Sequence, residues 1–235
     1  ESARQKEDFA ANLAHELKTP LTSVIGYADR IYKKDLPREL QKQAAWQIWN
    51  EGMRLEALSE KLMDLTVLNH KKFELQELDA LQMLQELADD VDYLMKEKNV
   101  ILQYTAQASY VRAEYDLFKT LFLNLIDNAV KAGSSQICVT GTVEKKCIYD
   151  TGKCDKNPSK YAVHFKDNGC GIPTNEIKKI TEAFYMIDKS RSRKLHGAGL
   201  GLSLAQKIAE IHGSSLIIES DGKSGTKVTV YLDIS

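Results

Sequence analysis

Residues 9–21 read FAANLAHELKTPL and contain one histidine, His15, inside an amphipathic helical pattern. Apolar residues recur at alternating spacings of four and three through residues 4–32, which predicts one long helix with the seam of a coiled coil or helical bundle. The seam consists of Ala10, Ala14, Leu17, Leu21, Val24, Ala28 and Ile31. His15 falls beside this seam, so we expect the packed helix to hold the residue while its imidazole reaches solvent.

A second helix is predicted over residues 39–69, because Pro37 ends the first helical pattern and a second aliphatic stripe follows. This stripe consists of Ile48, Leu55, Leu58, Leu62 and Leu65. Two amphipathic helices joined by a short loop form an antiparallel hairpin, which cannot bury both stripes by itself. We therefore expect a homodimer in which two hairpins form a four-helix bundle.

After the hairpin, strands and helices are intermixed without regular alternation. This pattern predicts an α+β fold, an α/β sandwich in which helices cover one face of a mixed sheet. Asp79 is expected to cap a helix that runs to about Lys98, and a strong helix is predicted over residues 116–132. We predict two domains, residues 1–70 and residues 71–235.

Composition excludes several classes of protein. The chain has 32 basic and 33 acidic residues and a net charge of −1, so it lacks the basic excess of a nucleic-acid binder. No apolar run approaches the roughly 18 residues of a membrane-spanning helix, and we expect no membrane contact by this chain. The spacing of the four cysteines fits no zinc site. The chain begins with Glu1 rather than Met, so we expect it to be a piece of a longer protein.

The residues around His15 are suited to nucleophilic chemistry. An unperturbed imidazole has a pKa near 6.5, so its neutral form is available at neutral pH. Glu16 can accept a proton from the ring or orient it. Thr19 is four residues on and shares a helical face with His15, where its hydroxyl can position a water molecule. A lone surface histidine is common on bundle helices, but the combination His-Glu-x-x-Thr-Pro is much rarer.

Three polar residues share one face of the helix predicted over residues 116–132. Asn124, Asn128 and Lys131 recur at spacings of four and three, whereas the opposite face carries aliphatic residues. Asparagines on such a helix need partners. A polyphosphate with Mg²⁺ would supply them, since Mg²⁺ takes few protein oxygens and keeps phosphate ligands. Lys131 would direct its charge at phosphate.

A first glycine-rich stretch, Asp167-Asn-Gly-Cys-Gly-Ile172, follows a predicted strand. A carboxylate at this place can accept a hydrogen bond from an exocyclic amine such as that of adenine. Gly169 and Gly171 would let the backbone approach a flat ligand closely. The pattern is weak by itself, because many turns resemble it.

A second glycine-rich stretch, Gly197-Ala-Gly-Leu-Gly201, opens a predicted helix. Successive backbone N–H groups at a helix N-terminus form an anion site. Arg191 and Arg193 precede it and could close over phosphates. A Rossmann site and a P-loop are both excluded, because the stretch lacks the strand–turn–helix context of the first and the Gly-Lys-Ser/Thr of the second.

In their order along the chain, these stretches resemble the sensor histidine kinases of two-component signalling. The resemblance covers nearly the whole sequence and includes two further motifs, Glu182-Ala-Phe-Tyr185 and Gly225-Thr226. It implies that His15 is phosphorylated, that Glu16 is its acid/base partner and that Thr19 assists dephosphorylation of a partner. It also implies ATP and Mg²⁺ as ligands, with Asn128 on the metal. The other residues implied to lie at the nucleotide are Asn124, Lys131, Asp167, Gly169, Gly171, Tyr185, Arg191, Arg193, Gly197, Gly199, Leu200, Gly201 and Thr226.

The sequence departs from the family pattern at Met186 and in residues 145–160, a segment that looks longer than a tight hairpin. Met186 stands where the family often has a basic residue. We expect either Arg191 or Arg193 to supply that positive charge instead. Asn124 stands where related ATPases of this fold have a glutamate general base. The absence of that glutamate favours phosphoryl transfer to histidine over rapid hydrolysis of ATP.

The resemblance further implies a response-regulator receiver domain as the partner, with phosphoryl transfer to one of its aspartates and dephosphorylation of the same partner. It implies that the chain is the cytoplasmic portion of a bacterial inner-membrane sensor. Two alternatives remain open at this point. One is a stand-alone ATP hydrolase of the same fold, and the other is a degenerate kinase that serves as a dimeric docking scaffold.

Overall fold

A computed structural model describes residues 2–144, 159–187 and 198–235, with side chains from residue 7 onwards. The chain divides into two compact units. The first unit contains Glu1–Val67 together with Glu182–Leu200, and the second contains Leu68–Thr181 together with Gly201–Ser235. None of the helices in the described ranges is long and apolar enough to cross a membrane.

The first unit is built on a helical hairpin. Helix α1 spans Ser2–Lys33 and contains Pro20, and helix α2 spans Arg38–His70. Pro37 precedes α2, and its carbonyl oxygen accepts from the backbone N–H of Leu40 at 2.9 Å. The two helices are antiparallel, since Glu16 on α1 pairs with Arg54 on α2, while Leu13, earlier on α1, packs at the level of Leu58. The predicted hairpin is therefore confirmed.

The α1 seam predicted from the sequence lies largely on a face that α2 does not cover. Leu17 is 37% exposed and Leu21 is 50% exposed. The inward side of α1 instead carries Leu13, which is half-buried, and Pro20, which is buried. A single hairpin thus leaves an apolar face on α1 without cover among the described residues. On α2 the predicted stripe faces inward, with Leu58 only 4% exposed.

The second unit contains three helices and seven strands in its described residues. The helices are α3 (Ala80–Glu97), α4 (Tyr115–Lys131) and α5 (Gly201–Ile211). The strands are β1 (Gln76–Asp79), β2 (Ile101–Ala106), β3 (Tyr110–Ala113), β4 (Gln136–Glu144), β5 (Lys160–Asp167), β6 (Ile217–Ser220) and β7 (Thr226–Ile234).

The seven strands form one mixed sheet in the order β1-β3-β7-β5-β4-β2, with β6 paired to β7. All pairs are antiparallel except β2 with β4, in which Ile101 is opposite Gln136. The last strand of the chain, β7, is therefore central, between β3 and β5. The predicted α/β sandwich with a mixed sheet is confirmed.

Apolar side chains join the helices to one face of the sheet. Phe122 of α4 meets Phe165 of β5 edge-to-face, with ring centroids 5.5 Å apart. Asp79 caps α3, as predicted, by accepting from the backbone N–H groups of Leu81 and Gln82 at 2.9 and 3.2 Å. The contact between Phe122 and Phe165 positions α4, which carries the polar face singled out in the sequence.

A buried histidine joins α5 to the start of α4. His212 is 1% exposed. Its Nδ1–H donates to the carbonyl of Ile208 at 2.8 Å, and its Nε2 accepts from the backbone N–H of Glu114 at 3.1 Å. Glu114 is also the N-cap of α4. Burial lowers the pKa of His212, so the neutral ring holds the two helix ends together.

Candidate active site

Helix α1 presents His15 to solvent with 65% of its side chain exposed, whereas the neighbouring Glu16 side chain is only 14% exposed. Glu16 Oε1 lies 3.7 Å from His15 Nδ1. This distance is longer than a hydrogen bond but within reach of a small side-chain movement. The carboxylate therefore faces one ring nitrogen while the ring remains accessible.

Thr19 follows one helical turn after His15 and is exposed. Its hydroxyl donates to the backbone carbonyl of His15 at 3.2 Å, a common local contact of threonine in helices. The structure thus places His15, Glu16 and Thr19, the three residues singled out on α1, close together. The role of Thr19 in dephosphorylation stays a prediction.

Tyr185, Gly199 and Leu200, three of the predicted nucleotide contacts, lie in the first unit with the hairpin. Leu200 is 1% exposed and shares an apolar cluster with Leu58 and Phe184. The backbone N–H of Phe184 donates to the carbonyl of Gly199 at 2.9 Å. Gly199 has φ 68°, and a Cβ there would lie 2.7 Å from the carbonyl carbon of Phe184, so this position needs glycine. Arg191, Arg193 and Gly197 lie outside the described residues.

The remaining predicted nucleotide contacts all lie in the second unit, and three of them are on α4. Asn124 is 9% exposed, and its Nδ2 donates to the carbonyl of Thr120 at 2.8 Å. Lys131 pairs with Asp127, its Nζ lying 2.7 Å from Oδ2. The predicted polar face of α4 is present, and its lysine has a neighbouring carboxylate as partner.

Asn128 is the member of this face that points to a ligand. Its Nδ2 is buried and has no hydrogen-bond partner among the described residues. A buried amide left unsatisfied costs about 1–3 kcal/mol. Gly201 lies opposite, and a Cβ there would be 3.6 Å from Nδ2 of Asn128 and 3.1 Å from Oδ1 of Asn124. The missing side chain of Gly201 leaves space beside both amides at the start of α5.

Asp167 ends β5 and is oriented by its neighbours. Its Oδ1 accepts from the Ser134 hydroxyl at 3.0 Å and from the backbone N–H of Gly169 at 2.7 Å. Within the described part of the chain, Oδ2 accepts no hydrogen bond. The carboxylate is thus held through one oxygen, and the other remains available to a donor such as an exocyclic amine.

Thr226 and Gly171 lie close to the same strand end. Thr226 begins β7 and is 8% exposed. Gly225 before it has φ 107°, and a Cβ there would be 2.0 Å from the carbonyl oxygen of Asp167, so only glycine permits this approach. A Cβ on Gly171 would be 2.8 Å from the backbone nitrogen of Lys223. The two glycine-containing loops therefore pack against each other beside Asp167.

Comparison with known proteins identifies the family. Residues 5–70 match the His Kinase A (phospho-acceptor) domain. Residues 113–235, more than half of the chain, match the histidine kinase-, DNA gyrase B- and HSP90-like ATPases. The chain belongs to the sensor histidine kinases of two-component signalling. The family predicted from the sequence motifs is thereby confirmed.

Curated relatives of the kinase carry the name sensor protein kinase WalK. The protein from Staphylococcus epidermidis (strain RP62A) is 27% identical over 232 residues, which are 97% of this chain and 37% of the relative. The protein from Staphylococcus aureus is 28% identical over 234 residues, which are 97% of this chain and 54% of the relative. The kinase chain thus spans about a third to a half of the length of these relatives.

Solved structures of histidine kinases share the fold. ThkA, solved in complex with the response regulator protein TrrA, has a TM-score of 0.72 at 20% identity, covering 97% of this chain and 61% of that chain. Full-length ShkA in complex with AMPPNP has a TM-score of 0.64 at 21% identity, covering 97% and 46%. AdeS of Acinetobacter baumannii has a TM-score of 0.63 at 17% identity, covering 94% and 98%. At these identities the likeness establishes the fold of the kinase.

Two residues at these sites were not predicted from the sequence. Arg54 contacts Glu16 from α2, and Ser134 orients Asp167. Arg54 had a recognisable signal, because it is a charged residue beside the inward stripe of a helix that is otherwise aliphatic there. Ser134 had none, since a serine after a helix-ending glycine is common in any loop.

Proposed function

We propose that the chain phosphorylates His15 from ATP and transfers the phosphoryl group to an aspartate of a response-regulator receiver domain. The observation that carries this proposal is the exposed imidazole of His15 with the Glu16 carboxylate 3.7 Å from its Nδ1, on a chain that also contains an ATPase-like domain. An exposed ring is accessible to a phosphorus atom, and the carboxylate faces the nitrogen that must lose a proton.

In the first step, the lone pair of His15 Nε2 attacks the γ-phosphorus of ATP. A nitrogen–phosphorus bond forms, the bond from the γ-phosphorus to the β,γ-bridging oxygen breaks, and ADP leaves. The proton on Nδ1 passes to the carboxylate of Glu16, which acts as the general base. In the second step, a receiver carboxylate oxygen attacks the phosphorus and the histidine leaves, recovering its proton.

ATP as substrate fits the donor set of the second unit. Asp167 offers a carboxylate oxygen to the adenine amine, and the unsatisfied Nδ2 of Asn128 together with the space left by Gly201 suits phosphate oxygens. Asn128 would hold Mg²⁺ through its side-chain oxygen. The ion would supply positive charge to the phosphates during transfer. Lys131 would have to exchange Asp127 for phosphate.

A homodimer through the hairpin is part of this proposal. The outward face of α1 carries Leu17, Leu21 and Ile25, which is 60% exposed. An apolar face of this kind on one hairpin is covered when two hairpins form a four-helix bundle. We place the chain in the cytoplasmic portion of a membrane-anchored bacterial sensor, and we assign Thr19 to dephosphorylation of the receiver domain.

The test is labelling with ATP that carries a radioactive γ-phosphate. The wild-type chain should acquire acid-labile, base-stable label, and His15→Gln should acquire none while still binding nucleotide. His70→Gln is the matched control, because His70 is exposed at the end of α2, and it should be labelled normally. Label that persists in His15→Gln would refute the assignment. Rapid phosphate release without any labelled protein would favour the ATP hydrolase, and failure to bind ATP would favour the scaffold.

A further inference from the structure

The side chain of Arg54 lies inside the hairpin. It is 10% exposed and projects from α2 towards α1. Its Nη2 donates to Oε2 of Glu16 at 3.2 Å. Its Nη1 lies 3.9 Å from Oε2 of Glu51, one turn earlier on α2. One guanidinium therefore stands between two carboxylates from two helices.

Burying these three charged side chains inside the hairpin carries a desolvation cost, so apolar residues would stabilise the hairpin at least as well. The Glu16 and Glu51 side chains are 14% and 21% exposed, so one cation compensates two largely desolvated anions. Glu51 Oε2 is buried and accepts no hydrogen bond from the residues that the structure describes. Buried ion pairs of this kind are weak contributors to stability compared with apolar packing. The neighbouring inward residue Leu58 shows that the hairpin packs aliphatic side chains at this interface.

The two oxygens of Glu16 face two different groups. Oε2 is bound by Arg54, and Oε1 is 3.7 Å from Nδ1 of His15. A shift of about 0.8 Å would bring Oε1 to the usual hydrogen-bond length of about 2.9 Å. Arg54 contacts Glu16 through a single charge-assisted hydrogen bond, from Nη2 to Oε2 at 3.2 Å, and this bond holds that oxygen in place. Arg54 thus limits the directions in which the second oxygen of Glu16 can point.

We propose that Arg54 is a positioning residue for the phosphorylation of His15: it holds Glu16 through Oε2 so that Oε1 faces Nδ1 of His15 and receives its proton. Arg54 touches neither the imidazole nor the nucleotide in this role. It acts only through Glu16, and it has the role only if His15 is the phosphorylated residue, as proposed above. Glu51 lies on the other side of the guanidinium, with its Oε2 3.9 Å from Nη1 of Arg54.

The test is a double-mutant cycle on the initial rate of His15 labelling at saturating ATP. The variants are Arg54→Gln, Glu16→Gln and the double substitution in the full chain. Arg54→Gln should lower kcat by about tenfold or more with KM for ATP within about twofold, because general-base catalysis contributes on the order of 10² or more. In the Glu16→Gln background, where no base remains to be oriented, the same change should alter the residual rate by less than about twofold.

Arg54→Lys repeats the cycle with the charge retained, so that a loss of folding in Arg54→Gln does not decide the result. It should recover part of the rate without changing KM, and its effect should also disappear in the Glu16→Gln background. Arg30→Gln, an exposed arginine of α1, is the matched control and should keep the wild-type rate.

An equal fractional loss of rate in both backgrounds would overturn the proposal, because Arg54 would then act independently of Glu16. A wild-type rate in a folded Arg54→Gln protein would overturn it as well. If the wild-type chain itself acquires no acid-labile label, the proposed kinase activity fails, and this outcome is distinguishable from both of the others.

Discussion

Gly201, the first residue of α5, offers the most direct test of the nucleotide site. A Cβ at this position would lie 3.1 Å from Oδ1 of Asn124 and 3.6 and 3.7 Å from Nδ2 and Oδ1 of Asn128. The backbone of Gly201 is not in the left-handed region, so alanine brings no backbone strain. Gly201→Ala therefore places one methyl group between the two amides and changes little else.

The effects of this methyl group on folding and on binding should separate. Alanine is favoured over glycine in a helix by up to about 1 kcal/mol, and the short contact with Asn124 requires a shift of a few tenths of an ångström. We expect the free energy of unfolding to change by less than about 1 kcal/mol. A hydrogen bond from Asn128 to a charged phosphate oxygen is worth about 1.5–3 kcal/mol. Its loss corresponds to nucleotide binding that is weaker by roughly 10- to 100-fold.

Isothermal titration of the full chain with Mg²⁺ and a non-hydrolysable ATP analogue measures the affinity, and differential scanning calorimetry measures stability. Gly26→Ala is the matched control, because no atom lies within 4 Å of a Cβ at that position of α1. It should leave the affinity within about twofold of wild type. A folded Gly201→Ala protein that also binds within this range would refute the assignment of the space between the two asparagines to phosphate.

Three other side chains give independent tests. Burial lowers the pKa of His212, so the second unit should have full stability above pH ~6.5 and lose it as the pH falls below that value. Calorimetry should show His212→Leu about 2 kcal/mol less stable at pH 7.5, with a shallower loss in acid; parallel curves would contradict this. Thr19→Ala should spare labelling of His15 but slow dephosphorylation of the receiver domain by about tenfold; equal losses would contradict the division of roles. Leu21→Glu should yield a monomer by analytical ultracentrifugation, since Leu21 is 50% exposed on the outward face of α1, whereas Lys34→Glu in the loop should not; a dimer of the Leu21→Glu chain would remove that face from the interface.

Local side-chain chemistry was sufficient to predict the helices. Asp79 has the short acceptor side chain that an N-cap requires, and the structure shows its two hydrogen bonds to the first turn of α3. Pro37 cannot continue a helix and stands just before α2. The polar face of α4 followed from a spacing that only a helix brings together. Each of these predictions depends on residues within a few positions of one another.

The sheet order could not be predicted in the same way. Strand β7 pairs with β3, where Ile234 is opposite Val111, and with β5. These strands are distant from β7 in the sequence. The alternation of buried and exposed residues in a strand says which face is buried but not which strand is its neighbour. Likewise, the apolar seam of α1 predicted that a face would be covered but not which helix would cover it. In the hairpin, Leu17 and Leu21 remain exposed and Pro20 is buried.

The sheet order explains why motifs far apart in the sequence meet at one strand end. Only residues 132–135 separate α4 from β4, so the C-terminal end of α4 must lie at the end of the sheet where β4 begins. Strand β5 runs antiparallel to β4 and ends there, with Asp167 opposite Ile137. Strand β7 is antiparallel to β5 and therefore starts at the same end of the sheet, which brings Gly225 against Asp167. An insertion in the loop at residues 132–135 should then uncouple Asp167 from Ser134 and weaken nucleotide binding, although every predicted contact residue would remain in the chain.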